Sequence, residues 1–370
     1  MTAPADPELM RRALRLAEHG WGRVHPNPLV GAIVVAADGR VIAEAWHQEF
    51  GGAHAEAAAL AVAGPEARGA TLYVTLEPCA HHGQTPPCTD AILAAGIRRV
   101  CFAAHDPNPK ARGGADILRA AGVQVEGGVL EDDARRQNAA FCFWHERQQP
   151  YVALKLALSI DGAIGLPDQP RVLVTGSAAR REANRLRAGY DAVLVGIGTV
   201  LADDPGLTVR DHPVRVPPRR VILDSDARLP HDRRLLNDGA APVIVCCAPD
   251  ADTGRVAALR ARGVTVHAVP RAARGLSVAA VLENLRAHGV RSVFCEGGAG
   301  VARALLEADR VERQYLFMAA RRLGPGGLRP LAELPETAPG AWRVAGAGTW
   351  DEDALLELER VRSEHVHGDR

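Results

Sequence analysis

The chain has 370 residues, with 44 basic and 44 acidic side chains and no net charge. Balanced charge, with only six Phe, five Trp and four Tyr, argues against a basic nucleic-acid surface or a base-stacking platform. Nothing reads as a leader or a membrane span, since no apolar run approaches ~18 residues, so a soluble cytoplasmic protein is expected.

The length suggests two domains. Asp6-Pro7 followed by ELMRRALRLAEHG reads as a capped amphipathic helix with Gly20 at its end. LVGAIVVAADGRVIAEAWH reads as a hairpin turning at Asp38-Gly39. Then come a helix (HAEAAALAVAG), a strand (TLYVTLEP), a helix (PCTDAILAAG), a strand (VCFAAHD), a helix (GADILRAAG) and a strand (VQVEGGV). Alternating strands and helices predict a three-layer α/β domain with a largely parallel sheet. A polar helical joint, residues 131–150, leads to a boundary at Pro150, so the expected domains are 1–149 and 150–370.

The second half opens on YVALKLALSIDGAIG, an apolar strand interrupted by Lys155. Further strands are expected at DAVLVGIG, RRVILDS, APVIVCC, VTVHAV and RSVFCEGG. After the last, Gly297-Gly298-Ala299-Gly300 precedes the helix VARALLEA. A strand, a glycine-rich turn and a helix N-terminus form a common phosphate site. Of the 44 basic residues only Lys110 and Lys155 are Lys. A Lys kept in an apolar strand of an Arg-biased chain points to function, because Lys can titrate when buried and Arg cannot.

Seven cysteines, an odd number spread over a long chain, read as metal binding plus buried thiols. His54, Cys79 and Cys88 are good zinc ligands, and Glu56 sits two residues from the His. The pattern H-x-E followed by P-C-x-x-C marks zinc deaminases, in which Glu moves protons and is not a ligand. Here the second Cys follows a loop of eight residues, AHHGQTPP. A structural zinc site with His81 or His82 as fourth ligand, or a helix face with buried cysteines, is the plainer alternative. Asn27, His47, His81, Asp106 and Asn108 stand in Pro- or Gly-rich loops, where turn chemistry alone can explain them.

The strings TLEPCAHHGQTPPC, His25-Pro26-Asn27-Pro28 with Val30-Gly31, Asp106-Pro107-Asn108-Pro109 and TVLADDPGLTV resemble the bifunctional deaminase/reductase family of riboflavin biosynthesis, in order over nearly the whole chain. The resemblance implies a cytidine-deaminase-like α/β/α domain followed by a dihydrofolate-reductase-like α/β domain. It implies one zinc on His54, Cys79 and Cys88, proton transfer by Glu56, and NADPH in the second domain with Lys155 at the reduced carbon. Substrate contacts are implied for Asn27, His47, His81, Asp106, Asn108, Arg187, Leu207, Arg210 and Glu296. Cofactor contacts are implied for Thr199, Asp203, Ser225, Gly297, Gly298, Ala299 and Gly300. The implied substrate is a ribosylaminopyrimidine phosphate, with neither nucleic acid nor membrane expected as partner, and the protein is expected to be a homo-oligomer, dimer or tetramer. Two departures stand out. Gln84 replaces a basic residue of the family, and Gln169 to Leu173 lack its Trp, so no contact is carried onto Arg171 or Leu173. The competing readings are a nucleic-acid base deaminase with an accessory nucleotide-binding domain, and a zinc-stabilised nucleotide-binding module without catalysis.

Overall fold

Asp6 caps the first helix, accepting the Glu8 amide at 2.8 Å, and Pro7 fills its first turn, where a missing N–H costs nothing. The computed structural model describes residues 5–83, 85–167, 173–332, 334 and 337–362. Gln84 and residues 169–172, where the sequence departs from its relatives, lie outside them. Two compact units form: residues up to Gln148 with Val214–Val216, and Gln149–Pro213 with Pro217 onward.

The first unit contains α1 (Pro7–Ala17), β1 (Gly31–Val35), β2 (Val41–Trp46), α2 (Ala55–Ala63), β3 (Thr71–Leu76), α3 (Cys88–Ala95), β4 (Arg99–Ala104), α4 (Gly114–Ala120), β5 (Gln124–Glu126), α5 (Glu131–Gln137) and α6 (Ala139–Arg147). Met10, Ala13, Leu14 and Ala17 form the buried stripe of α1, at helical spacing. The helix lies so close to β1 that a Cβ on Gly31 would meet the Ala13 carbonyl oxygen at 2.0 Å. The hairpin turns at Asp38-Gly39 as read, with Gly39 at φ +87° and Asp38 Oδ1 accepting the Arg40 amide.

Strand order is β2-β1-β3-β4-β5. β1 runs antiparallel to both β2 and β3, while β3, β4 and β5 are parallel. The sheet is therefore mixed, not largely parallel. The reason is that β1 slots between β2 and β3, the two strands joined by the α2 crossover. All five β1 residues are buried, so both faces of the sheet are covered. Helices α2, α3 and α4 pack in succession, and α1 and α5 lie against β1, β3 and β4.

The second unit contains β6 (Tyr151–Ser159), α7 (Ser177–Arg187), β7 (Ala192–Gly196), α8 (Ile197–Asp203), β8 (Arg219–Leu223), α9 (Arg234–Asn237), β9 (Val243–Cys247), α10 (Thr253–Ala261), β10 (Thr265–Ala268), α11 (Val278–Ala287), β11 (Ser292–Cys295), α12 (Ala299–Glu307), β12 (Arg313–Ala319), β13 (Trp342–Trp350) and β14 (Asp353–Arg360). The sheet order is β10-β9-β8-β7-β11-β6-β12-β14-β13. It is parallel from β10 to β12, then closes with the antiparallel strands β14 and β13. The expected strands through β11 are present. β12, β13 and β14 lie beyond the last element read from the sequence. β14 is DALLELER, a run of good helix formers that pairing with β12 and β13 holds extended.

Candidate functional site

In the first unit, three reactive side chains converge from the starts of two helices and the end of a strand. His54 is the N-cap of α2 and Cys88 the first residue of α3, while Cys79 follows the end of β3. His54 Nδ1 lies 3.2 Å from Cys88 Sγ and 3.5 Å from Cys79 Sγ. The three ligand atoms all lie within 4.8 Å of one another, and no other group of three such residues is metal-ready among the described residues. A zinc tetrahedron with one nitrogen and two sulfur ligands has edges of roughly 3.6–3.8 Å. The trio fits one face of such a shell and leaves a fourth position to a non-protein ligand.

Electrostatics fit the same chemistry. The Cys88 thiol, then the His54 ring, hold the Cys79 thiol down at about 4, and burial opposes them. The Cys88 backbone amide also donates to Cys79 Sγ at 3.4 Å, as a helix start favours thiolate. Without a metal, Cys88 keeps the shared proton and titrates far above its ordinary range. His54 is raised, first by its hydrogen bond with Cys79. Glu56, in the first turn of α2, is 4% exposed. Burial raises its pKa above the ordinary carboxylate value, and it hydrogen-bonds the Cys88 thiol. A carboxyl so placed, beside the trio and with its pKa raised, suits both taking and returning a proton.

These groups border a cavity of about 240 Å³ whose lining includes Asn27, His47, His54, Glu56, Cys79, His81, Asp106 and Asn108. Every first-half metal, catalytic or substrate residue implied by the resemblance lines it except Cys88, which is buried. His47 Nδ1 lies 2.9 Å from the Ala53 carbonyl and Nε2 lies 3.1 Å from Asn27 Nδ2. The carbonyl can only accept, so Nδ1 carries the proton and Nε2 accepts from Asn27. Burial lowers the His47 pKa, in keeping with this neutral ring. Asp106 accepts the Asn108 amide at 2.8 Å, so turn chemistry and cavity lining coincide there. Burial pushes its carboxyl up to about 7.

Sequence reasoning missed Glu77. It is buried, and its carboxylate accepts the amides of Gly113, Ala115 and Asp106 and contacts His105 Nδ1 at 3.2 Å. It ties the Asp106 loop and the start of α4 to the strand end that carries Cys79. A charged residue closing an apolar strand just before Pro78-Cys79 is the signal that could have found it.

In the second unit, a cavity of about 930 Å³ opens where β7, β8 and β11 end, beside Lys155 to Ala157 of β6. Crevices outside the carboxyl ends of parallel strands are the usual ligand sites of such sheets, and this volume lies in the range of cofactor pockets. Lys155, Arg187, Thr199, Asp203, Leu207, Arg210, Ser225, Glu296 and Gly297 to Gly300 all line it. Lys155 is half-buried in β6, its Nζ 5.7 Å from the centre of the Phe317 ring. Gly297 lacks room for a side chain, since a Cβ would meet Val301 Cβ at 2.7 Å. This brings the turn close to α12, whose free N-terminal amides suit a phosphate. Arg187 grips Glu296 with two hydrogen bonds, at 2.7 and 2.6 Å, and reaches the Thr208 carbonyl at 2.8 Å. Burial opposes the Arg187 charge, but Glu296 outweighs it and raises the pKa. The sequence named both residues without foreseeing the pair.

A metal-ready His/Cys/Cys trio beside a buried carboxyl, and a parallel-sheet cavity with a lysine and a glycine turn, define a two-site enzyme that pairs a zinc-type deaminase with a reductase. A family model described as the cytidine and deoxycytidylate deaminase zinc-binding region matches residues 4–104, and one described as the RibD C-terminal domain matches residues 150–356. The riboflavin biosynthesis protein RibD of Aquifex aeolicus is 38% identical over 340 residues, covering 90% of this chain and 94% of that protein. The Escherichia coli protein of the same name is 36% identical over 354 residues, with the same coverage. Among solved structures, RibD of Acinetobacter baumannii is 34% identical with a TM-score of 0.83, covering 96% of this chain and 99% of that one. A Thermotoga maritima diaminohydroxyphosphoribosylaminopyrimidine deaminase/5-amino-6-(5-phosphoribosylamino)uracil reductase is 36% identical with a TM-score of 0.81, covering 96% and 98%. The chain belongs to the RibD family. Its first unit is cytidine-deaminase-like and its second dihydrofolate-reductase-like. No helix among the described residues is long and apolar enough to cross a membrane.

Proposed function

We propose that this chain carries out two consecutive steps of riboflavin biosynthesis. The first unit hydrolyses the exocyclic amine of a diaminohydroxyphosphoribosylaminopyrimidine. The second reduces the ribosyl chain of the resulting 5-amino-6-(5-phosphoribosylamino)uracil with NADPH. The observation that carries this reading is the presence, in one chain, of the His54/Cys79/Cys88 trio beside Glu56 and of the large cavity holding Lys155 and the glycine turn.

His54, Cys79 and Cys88 would hold a zinc ion, which when bound would lower the pKa of a water to about 7. Glu56, buried beside the trio, would accept a proton from the attacking water, pass it to the ring nitrogen and assist the departure of ammonia. Asn27, His47, His81, Asp106 and Asn108 orient the pyrimidine, and the small cavity suits a single ring. In the second unit NADPH supplies the hydride. Gly297 to Gly300, Thr199, Asp203 and Ser225 hold the cofactor, Arg187 and Arg210 hold the substrate phosphate, Glu296 holds the ribose hydroxyls, and Leu207 lines the substrate side. Lys155 stands at the reduced carbon, where an amine can hold or give a proton. The active protein is a cytoplasmic homo-oligomer, dimer or tetramer, and light scattering on the purified chain checks the assembly.

The test is to measure ammonia release and NADPH oxidation separately on the purified chain. Both are expected, the first with the amino substrate and the second with the deaminated one. Ammonia release without any NADPH oxidation would leave a deaminase with an accessory domain, and the reductase half of the proposal would fall.

A further inference from the structure

The loop between Cys79 and Cys88 brings a further side chain to the metal trio's edge. Thr85 Oγ1 lies 3.4 Å from His54 Nε2, while His54 Nδ1 faces both sulfurs. A ring nitrogen that binds a metal must offer its lone pair, so the proton must sit on the other nitrogen. Ligating histidines commonly give that second N–H to an acceptor, which fixes tautomer and ring orientation. Here the Nε2–H has the Thr85 hydroxyl oxygen before it, and Thr85 is half-buried at the cavity wall. The residue is itself held. Its carbonyl accepts the Gly83 amide at 3.1 Å, and Pro86 and Pro87 follow it, which biases Thr85 to extended backbone.

We propose that Thr85 is a positioning residue for the metal ligand His54, and that the lengthened loop serves to deliver its hydroxyl. The inference rests on the zinc-deaminase reading above. Thr85 acts through His54: its oxygen selects the tautomer that leaves Nδ1 free, and it holds the ring plane towards the sulfurs.

The experiment compares Thr85→Val, nearly isosteric but without the hydroxyl, with Thr85→Ser, which restores it. Zinc affinity is measured on the full-length chain by chelator competition at one pH. The cobalt-substituted proteins are examined for the thiolate charge-transfer band. Thr85→Val should bind zinc about 10–100-fold more weakly, Thr85→Ser within about threefold of the parent, and the band should persist in all three because both cysteines remain. NADPH oxidation by the second unit and far-UV circular dichroism serve as folding checks. Wild-type zinc affinity in Thr85→Val would overturn the proposal, as would a Thr85→Ser protein as weak as Thr85→Val. A raised KM with unchanged zinc affinity would also overturn it, by making Thr85 a substrate contact. A parent chain that binds no zinc would instead remove the deaminase reading itself.

Discussion

The two sites are built on different scales. In the first unit the metal trio and Glu56 come from residues 54 to 88, anchored by two helix starts and one strand end. In the second, the cavity gathers residues from 155 to 328, delivered by the ends of parallel strands. Chemistry that needs a few atoms at bonding distance can be carried by a short stretch. Chemistry that needs a long cofactor laid against a substrate needs a sheet to spread its contacts.

Variants can break this contrast at several strengths. The largest effect is expected from Cys88→Ala, which removes a ligand from a trio with no spare. Zinc content should fall well below one per chain, and ammonia release by about 10³-fold or more, since several kcal/mol of transition-state stabilisation rest on a catalytic metal. Full zinc occupancy in that variant, measured by metal analysis, would show that the ligand set is wrong. Next is Lys155→Ala. Reduction of the deaminated substrate should fall about 10²–10³-fold, in the range of a lost proton-transfer group, with ammonia release within about twofold. An unchanged rate of NADPH oxidation would make Lys155 merely structural.

A smaller effect should follow from Arg187→Met. It removes one half of a largely buried ion pair, and breaking such a pair costs about 3 kcal/mol. Urea unfolding of the second unit should show this loss, and Arg187→Met combined with Glu296→Leu should recover part of it. Equal stabilities in the single and double variants would mean the pair is not coupled.

A further test concerns pH. Burial holds the Asp106 carboxyl at about 7 in the folded, metal-free protein, against roughly 3.9 when unfolded. Between those values the folded chain binds more protons than the unfolded one. Stability therefore falls as pH rises through about 4 to 7, and this contribution levels off above. Asp106→Asn should make the fall shallower in denaturant titrations of the metal-free chain. Glu56, raised by burial too, leaves a residual slope of the same sign. An unaltered slope would show that Asp106 titrates normally.

Legibility in the sequence followed the same contrast of scale. His54, Glu56, Cys79 and Cys88 announce themselves because their residue types are rare in combination and their spacing is local. The Asp38-Gly39 turn and the Asp6-Pro7 cap were readable for the same reason. The place of β1 between β2 and β3 was not, because strand order depends on long-range pairing that no local pattern carries. Glu77 escaped notice because its partners lie 28 to 38 residues away, and the Arg187–Glu296 pair spans 109. The three last strands were missed because β13 is rich in Gly and Ala, and β14 carries helix formers that only its neighbours hold extended.

The central claim is that one chain holds two independent sites. Glu56→Gln tests it most directly, because Gln is nearly isosteric, is no metal ligand, and cannot accept the water proton. On a single folded, zinc-loaded preparation, ammonia release from the amino substrate should fall by about 10²–10⁴-fold or more. NADPH oxidation with the deaminated substrate should stay close to the parent rate. A parallel fall of both rates in that preparation would contradict the account, because the two reactions would then share a site or be obligatorily coupled.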